Sequence, residues 1–147
     1  MRSGHDILQD IKVNHRSILI IDDNEQIRTF LRKVLEAAGY MVTEAPNGQE
    51  GLRQFRQTPT ALVITDLFMP GRDGLEVTMA LHRESPTVKI IVLTGGSGPR
   101  DFLEVAKLLG AHRTMKKPVT ITELLRAVQQ ELGEDLPLKG QGPQGEQ

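Results

Sequence analysis

Ile18-Leu19-Ile20-Ile21, followed at once by Asp22-Asp23, decides how the rest of the chain is read. Four branched apolar residues in a row leave no polar face. They suit a strand covered on both sides, as in a parallel sheet. Three further runs repeat the pattern and end differently. Ala61-Leu62-Val63-Ile64-Thr65 ends in Asp66, and Val88-Lys89-Ile90-Ile91-Val92-Leu93 ends in Thr94. The shorter, more polar run over residues 112–116 ends in Lys117-Pro118. Ligands of open parallel sheets bind beyond the carboxyl ends of the strands. The pattern thus predicts one crevice holding three carboxylates, a hydroxyl and an ammonium. Clustered acids attract a cation, and an ammonium beside a hydroxyl suits a tetrahedral oxyanion.

Helical spacing alternates with these runs. Ile27, Phe30, Leu31, Val34, Leu35 and Ala38 form one apolar stripe, with Asn24 placed to cap the helix and Gly39 to end it. Met41-Val42-Thr43-Glu44-Ala45 reads as a short strand nearer an edge, and Asn47-Gly48 turns into a weak helix carrying Leu52 and Phe55. A loop from Leu67 to Asp73 precedes a helix over about residues 74–82. The glycine-rich segment Thr94 to Pro99 leads to a helix with Phe102, Leu103, Val105, Ala106, Leu108 and Leu109, ended by Gly110. Thr120-x-x-Glu123 is a capping box before Ile121, Leu124, Leu125, Val128 and Leu132. The order βαβαβαβαβα predicts right-handed crossovers and a parallel sheet covered on both faces.

The 147 residues suffice for one domain that buries about two-thirds of its unfolded surface. Net charge is −1 with both signs interleaved, which favours neither nucleic acid nor an acidic tail. Without cysteine there is no disulfide, thiol nucleophile or thiolate metal site. No apolar run approaches the roughly 18 residues of a membrane span, and the first ten residues lack a signal-peptide profile. A cytoplasmic protein is the expectation. Residues 1–15 read as an extension, a frayed terminus or the end of an upstream helix, with Ile7, Leu8 and Ile11 at helical spacing. Residues 16–133 read as the domain, and residues 134–147, rich in Gly, Gln and Pro, as a mobile tail.

Ile20-Ile21-Asp22-Asp23-Asn24, Thr65-Asp66-Leu67-Phe68-Met69-Pro70-Gly71-Arg72-Asp73-Gly74, Val92-Leu93-Thr94 and Lys117-Pro118 together resemble the receiver domain of two-component response regulators. The resemblance covers about residues 16–133. It implies a flavodoxin-like, doubly wound sheet of five parallel strands in order 2-1-3-4-5, with helices on both faces. It implies that Asp66 takes a phosphoryl group from a phosphohistidine of a histidine kinase or phosphotransfer protein. It implies that Mg²⁺ is bound directly by Asp23, Asp66 and the backbone carbonyl of Phe68, and through water by Asp22. Lys117 and Thr94 would contact the phosphoryl group, and a cis Lys117-Pro118 bond is expected. The signal would pass to a downstream effector or a fused output domain, or into a phosphorylation-dependent homodimer. The face near Phe102, Arg113 and Ile121 would carry it. On this reading the chain is no conventional enzyme but catalyses its own phosphorylation and dephosphorylation at Asp66.

Some positions depart from the family's pattern. Thr114 stands where the family often has an aromatic residue, so a switch through Thr94 has no large ring to move. Phe68 and Gly96 neighbour the route of the hydrolytic water. A haloacid-dehalogenase-type phosphatase also uses a strand-end aspartate, but it resembles Asp-x-Asp, and position 68 is Phe. No nucleotide-binding fingerprint is present. A receiver that works without phosphorylation would not need Asp22, Asp23, Asp66, Thr94 and Lys117. The chain is either a stand-alone receiver or part of a larger regulator or hybrid kinase.

Overall fold

The structure is a computed structural model that describes residues 13–69, 73–95 and 100–134, the side chains of 100–103 excepted. Its elements are β1 (Ser17–Ile21), α1 (Glu25–Ala37), β2 (Met41–Ala45), α2 (Gly48–Gln57), β3 (Leu62–Asp66), α3 (Gly74–Glu84), β4 (Lys89–Thr94), α4 (Arg100–Leu108), β5 (Arg113–Lys116) and α5 (Ile121–Glu131). The sheet runs β2-β1-β3-β4-β5 with every neighbouring pair parallel. This is the expected doubly wound order. The extension Ile7, Leu8 and Ile11, the tail over residues 135–147, and the loops at residues 70–72 and 96–99 lie outside the described residues.

Strand pleating explains the two-sided core. Side chains alternate across a strand, so Ile18 and Ile20 of β1 pack with Leu31, Leu35, Leu124 and Val128 of α1 and α5. Leu19 and Ile21 pack on the other face with Leu52, Phe55, Val77, Leu81 and Ala106 of α2, α3 and α4. Each fully buried Leu, Ile or Val side chain stabilises the fold by about 1.5–3 kcal/mol.

The caps form as the residue types require. Asn24 accepts from the Ile27 N–H at 3.0 Å, Asn47 from Glu50 at 2.8 Å, and Asp73 from Glu76 at 3.0 Å. Thr120 and Glu123 complete the capping box. Gly39 ends α1 at φ +98°, a conformation only glycine adopts without strain. Arg16 donates to the carbonyls of Ala38 and Gly39, lies 4.3 Å over the Tyr40 ring and pairs with Glu134 at 2.7 Å. Tyr40 also donates to Glu134, so the start of β1 and the end of α5 are tied together.

Three apolar stripes are less buried than their periodicity predicts. Phe30 of α1 is 40% exposed, Leu108 of α4 is 85% exposed, and Ile121 of α5 is 52% exposed. Leu108 and Ile121 stand at helix ends, and Phe30 lines a surface cleft. Helix α3 runs two residues past His82, to Glu84.

Gly74 sets how closely α3 approaches the end of β3. A Cβ there would lie 2.2 Å from the Asp66 carbonyl oxygen and 2.8 Å from Leu67 Cα, both backbone atoms. Gly74→Ala should therefore destabilise the fold by roughly 3 kcal/mol or more in urea unfolding. Gly95→Ala meets nothing within 4 Å and should stay within about 0.5 kcal/mol of wild type.

Candidate functional site

The carboxyl ends of β1, β3, β4 and β5 bring the sequence-selected residues together. Parallel register sets their depth: Asp66 stands opposite Leu93, and Thr94 opposite Lys116. Beyond the ladder, the Lys117 N–H donates to the Thr94 carbonyl at 2.7 Å, and the Leu67 N–H to the Leu93 carbonyl at 2.7 Å. These bonds carry the strand order past the last ladder residues and hold Lys117 over the crevice. The Lys117-Pro118 bond is cis, as expected.

Lys117 Nζ lies 2.9 Å from Asp22 Oδ2 and 3.0 Å from Asp66 Oδ1. Asp22 is 1% exposed and Asp66 8% exposed, whereas Asp23 is open to solvent. Oxygens of Asp22, Asp23 and Asp66 lie within 4.8 Å of one another. Burial pushes the Asp66 carboxyl above its ordinary range, the hydrogen bond from Lys117 opposes this, and the charges of Asp22 and Asp23 add to the rise. Burial works against the Lys117 ammonium, but its bonds to Asp22 and Asp66 outweigh that and raise its pKa.

The cluster's unused valences show what it can take. Asp22 Oδ1 accepts from the Asn24 N–H at 2.9 Å and Oδ2 accepts from Lys117, so both of its oxygens are engaged. Among the described residues, Asp66 Oδ2, the Asp23 carboxylate and the buried Thr94 hydroxyl have no partner. A buried hydroxyl without a hydrogen bond is uncommon in folded proteins. Two free carboxylate edges of like charge in one crevice fit a hard divalent cation with oxygen ligands. Phe68, whose carbonyl is the remaining expected ligand, sits in the segment after β3 and is 45% exposed.

Two features around this crevice were not legible in the motifs. Gln26, Ile27 and Phe30 of α1 face Leu93, Pro118 and Val119 across an apolar cleft of about 480 Å³ that reaches Lys117. Arg28 of α1 donates to the carbonyl of Asp22 at 2.6 Å. The cleft joins elements distant in sequence, and the Arg28 bond, although it spans six residues, goes to a main-chain carbonyl that no side-chain motif marks. Thr114 pairs with Val92 inside the sheet and presents no aromatic ring beside Thr94.

The geometry agrees with independent comparisons. The family model of the response regulator receiver domain matches residues 18–129. Sporulation initiation phosphotransferase F of Bacillus subtilis is 33% identical over 118 residues, covering 80% of this chain and 94% of that protein. The CAI-1 autoinducer sensor kinase/phosphatase CqsS of Vibrio cholerae is 35% identical over 118 residues, but the match spans 78% of this chain and only 17% of that protein. Among solved structures, a response regulator receiver domain protein (CheY-like) from Methanospirillum hungatei superposes with a TM-score of 0.77 at 29% identity. That superposition covers 80% of this chain and 94% of the other. The phosphatase alternative finds no support among these relatives. No helix of the described residues is long and apolar enough to cross a membrane. Sheet order, crevice and relatives all agree: the chain belongs to the response regulator receiver domains of two-component systems.

Proposed function

We propose that Asp66 is the phosphoacceptor and that the crevice transfers a phosphoryl group from a phosphohistidine to it. The carrying observation is that Asp66 keeps Oδ2 unpartnered while Lys117 Nζ holds its Oδ1 at 3.0 Å, with the buried, unpartnered Thr94 hydroxyl at the end of the adjacent strand. Asp66 Oδ2 attacks phosphorus as the P–N bond breaks. The bonding pair returns to the imidazole, which takes up a proton. Lys117 and Thr94 hold oxygens of the transferring group, so charge that develops there meets fixed donors.

Mg²⁺, held by Asp23, Asp66, the Phe68 carbonyl and, through water, Asp22, would supply positive charge that lets an anionic phosphoryl group enter among carboxylates. The apolar cleft lined by Ile27, Phe30 and Pro118 borders Lys117 and gives a donor protein a surface to dry against. A histidine kinase or phosphotransfer protein is the donor. An effector or output domain reads the phosphorylated state, and a phosphorylation-dependent homodimer is one form that readout can take. A cytoplasmic location follows from such partners. The domain covers residues 16–133.

Intact-mass spectrometry after incubation with acetyl phosphate and Mg²⁺ tests the assignment. Wild type should gain one phosphoryl mass and Asp66→Asn none; full labelling of Asp66→Asn overturns it.

The Asp66 pKa also fixes a pH dependence. Because the folded value is raised, the folded state holds the proton more tightly than the unfolded chain. Stability tied to this group is intact below the ordinary value of 3.8 and is lost as pH rises through the raised folded value. Without Mg²⁺, Asp66→Asn should melt above wild type at neutral pH, and the gap should narrow on acidification towards 3.8.

Phe68 governs the lifetime of the acyl phosphate. Its exposed ring, two residues from Asp66, offers an attacking water no hydrogen bond. Phe68→Asn should shorten the phosphoryl half-life several-fold at fixed Mg²⁺ by orienting that water. An equal or longer half-life would leave Phe68 a packing residue.

A further inference from the structure

Arg28 belongs to no motif that points to the acidic crevice, yet it grips the main chain there. Its Nη1 donates to the Asp22 carbonyl oxygen at 2.6 Å, and its Nε donates to Glu44 Oε1 at 2.8 Å. The Asp22 carbonyl and the Asp23 amide are one planar peptide unit, so turning it turns the side chain of Asp23. The Asp23 carboxylate is exposed and has no hydrogen bond or ion pair among the described residues. The backbone therefore sets its Cα–Cβ direction, and no side-chain partner among the described residues adds to that. That backbone is held on one side by the Asp22 N–H bonded to the Ala45 carbonyl at 3.1 Å, and on the other by Arg28.

Arg28 is itself held. Glu44 of β2 receives Arg28 on one oxygen and Arg32 on the other, at 2.8 and 2.7 Å. The Arg28 side chain is 14% exposed, which favours one fixed geometry. The Glu44 carboxyl lies below its usual range, held there by hydrogen bonds from Arg32 and then Arg28. An unbalanced guanidinium beside the crevice would repel a divalent cation; Glu44, with Glu36 on Arg32 at 3.1 Å, offsets the charge of the two guanidinium groups.

We propose that Arg28 is a positioning residue for the cation site. It fixes the Asp22–Asp23 peptide so that Asp23 faces Asp66, while Glu44 removes the electrostatic penalty of placing a cation there. This rests on the reading of Asp22, Asp23 and Asp66 as a Mg²⁺ site.

The test is calorimetric titration of Mg²⁺ into the unphosphorylated protein, with circular dichroism to confirm folding and Asp23→Ala as the lost-site reference. Arg28→Ala should weaken Mg²⁺ binding by about tenfold, the lower end of what outer partners of metal ligands contribute. Arg28→Lys should fall between Arg28→Ala and wild type, because one ammonium can reach the carbonyl but lacks the fork. Glu44→Gln leaves the anchor and unbalances its charge, so its loss should shrink as salt is added, whereas the Arg28→Ala loss should persist. With acetyl phosphate, Arg28→Ala should need more Mg²⁺ for half-maximal labelling while its rate at saturating Mg²⁺ stays near wild type. A role confined to stability would lower the melting temperature and leave Mg²⁺ affinity alone.

Arg28→Ala within about twofold of wild type, while Asp23→Ala abolishes binding, overturns the proposal. If Arg28→Ala does not fold, Arg28→Lys decides by the same criterion. A wild type that takes up no Mg²⁺ sinks the cation-site reading itself, a result distinct from failure of the Arg28 role.

Discussion

One ammonium makes the rim of this sheet possible. Asp22 and Asp66 end neighbouring strands and are almost wholly removed from water. Two like charges so placed repel strongly where water cannot screen them. Lys117 lies within 3.0 Å of both and answers that repulsion from the far side of the crevice. Its own place depends on the edge of the sheet: β5 pairs with β4, and the Lys117 N–H is bound to the Thr94 carbonyl. The compensation is incomplete: three carboxylates against one ammonium leave two negative charges, and Asp23 has no partner among the described residues. That residue of negative charge makes the crevice a place for a cation, and the cation admits an anionic group.

Most of the fold was legible because a parallel sheet writes itself locally. The unbroken run Ile18 to Ile21 has no polar face, so it had to be buried twice. The polar residue ending each run had to sit at the carboxyl edge. Asn24 and the Thr120/Glu123 pair declared helix starts by side-chain chemistry that acts within four residues, and Asn47-Gly48 marked a turn into the next helix. The edge placement of β2 followed from its polar Thr43 and Glu44.

The less legible features depend on geometry between elements. Phe30 fits the α1 stripe by spacing, but it lines the cleft beside Pro118 instead of the core. Leu108 fits the α4 stripe and stands 85% exposed, because only Ala106 of that turn reaches the sheet. Arg28 carries no sequence signal that points to the crevice. Its bond to the Asp22 carbonyl spans six residues, but the pairing of its Nε with Glu44 needs the sheet to set β2 beside β1, which periodicity does not encode. For the site, residue types and strand ends were readable, whereas which oxygens remain unpaired required coordinates.

The central claim is that free Asp66 Oδ2, Thr94 and Lys117 form a receptor for a phosphoryl group with Mg²⁺ beside it. A crystal structure with Mg²⁺ and beryllofluoride tests this most directly. The account predicts beryllium bonded to an Asp66 carboxylate oxygen, its fluorides contacted by Thr94 and Lys117, and Mg²⁺ ligated by Asp23 and Asp66. Beryllofluoride bound to another residue, or Mg²⁺ bound away from Asp23 and Asp66, would contradict it.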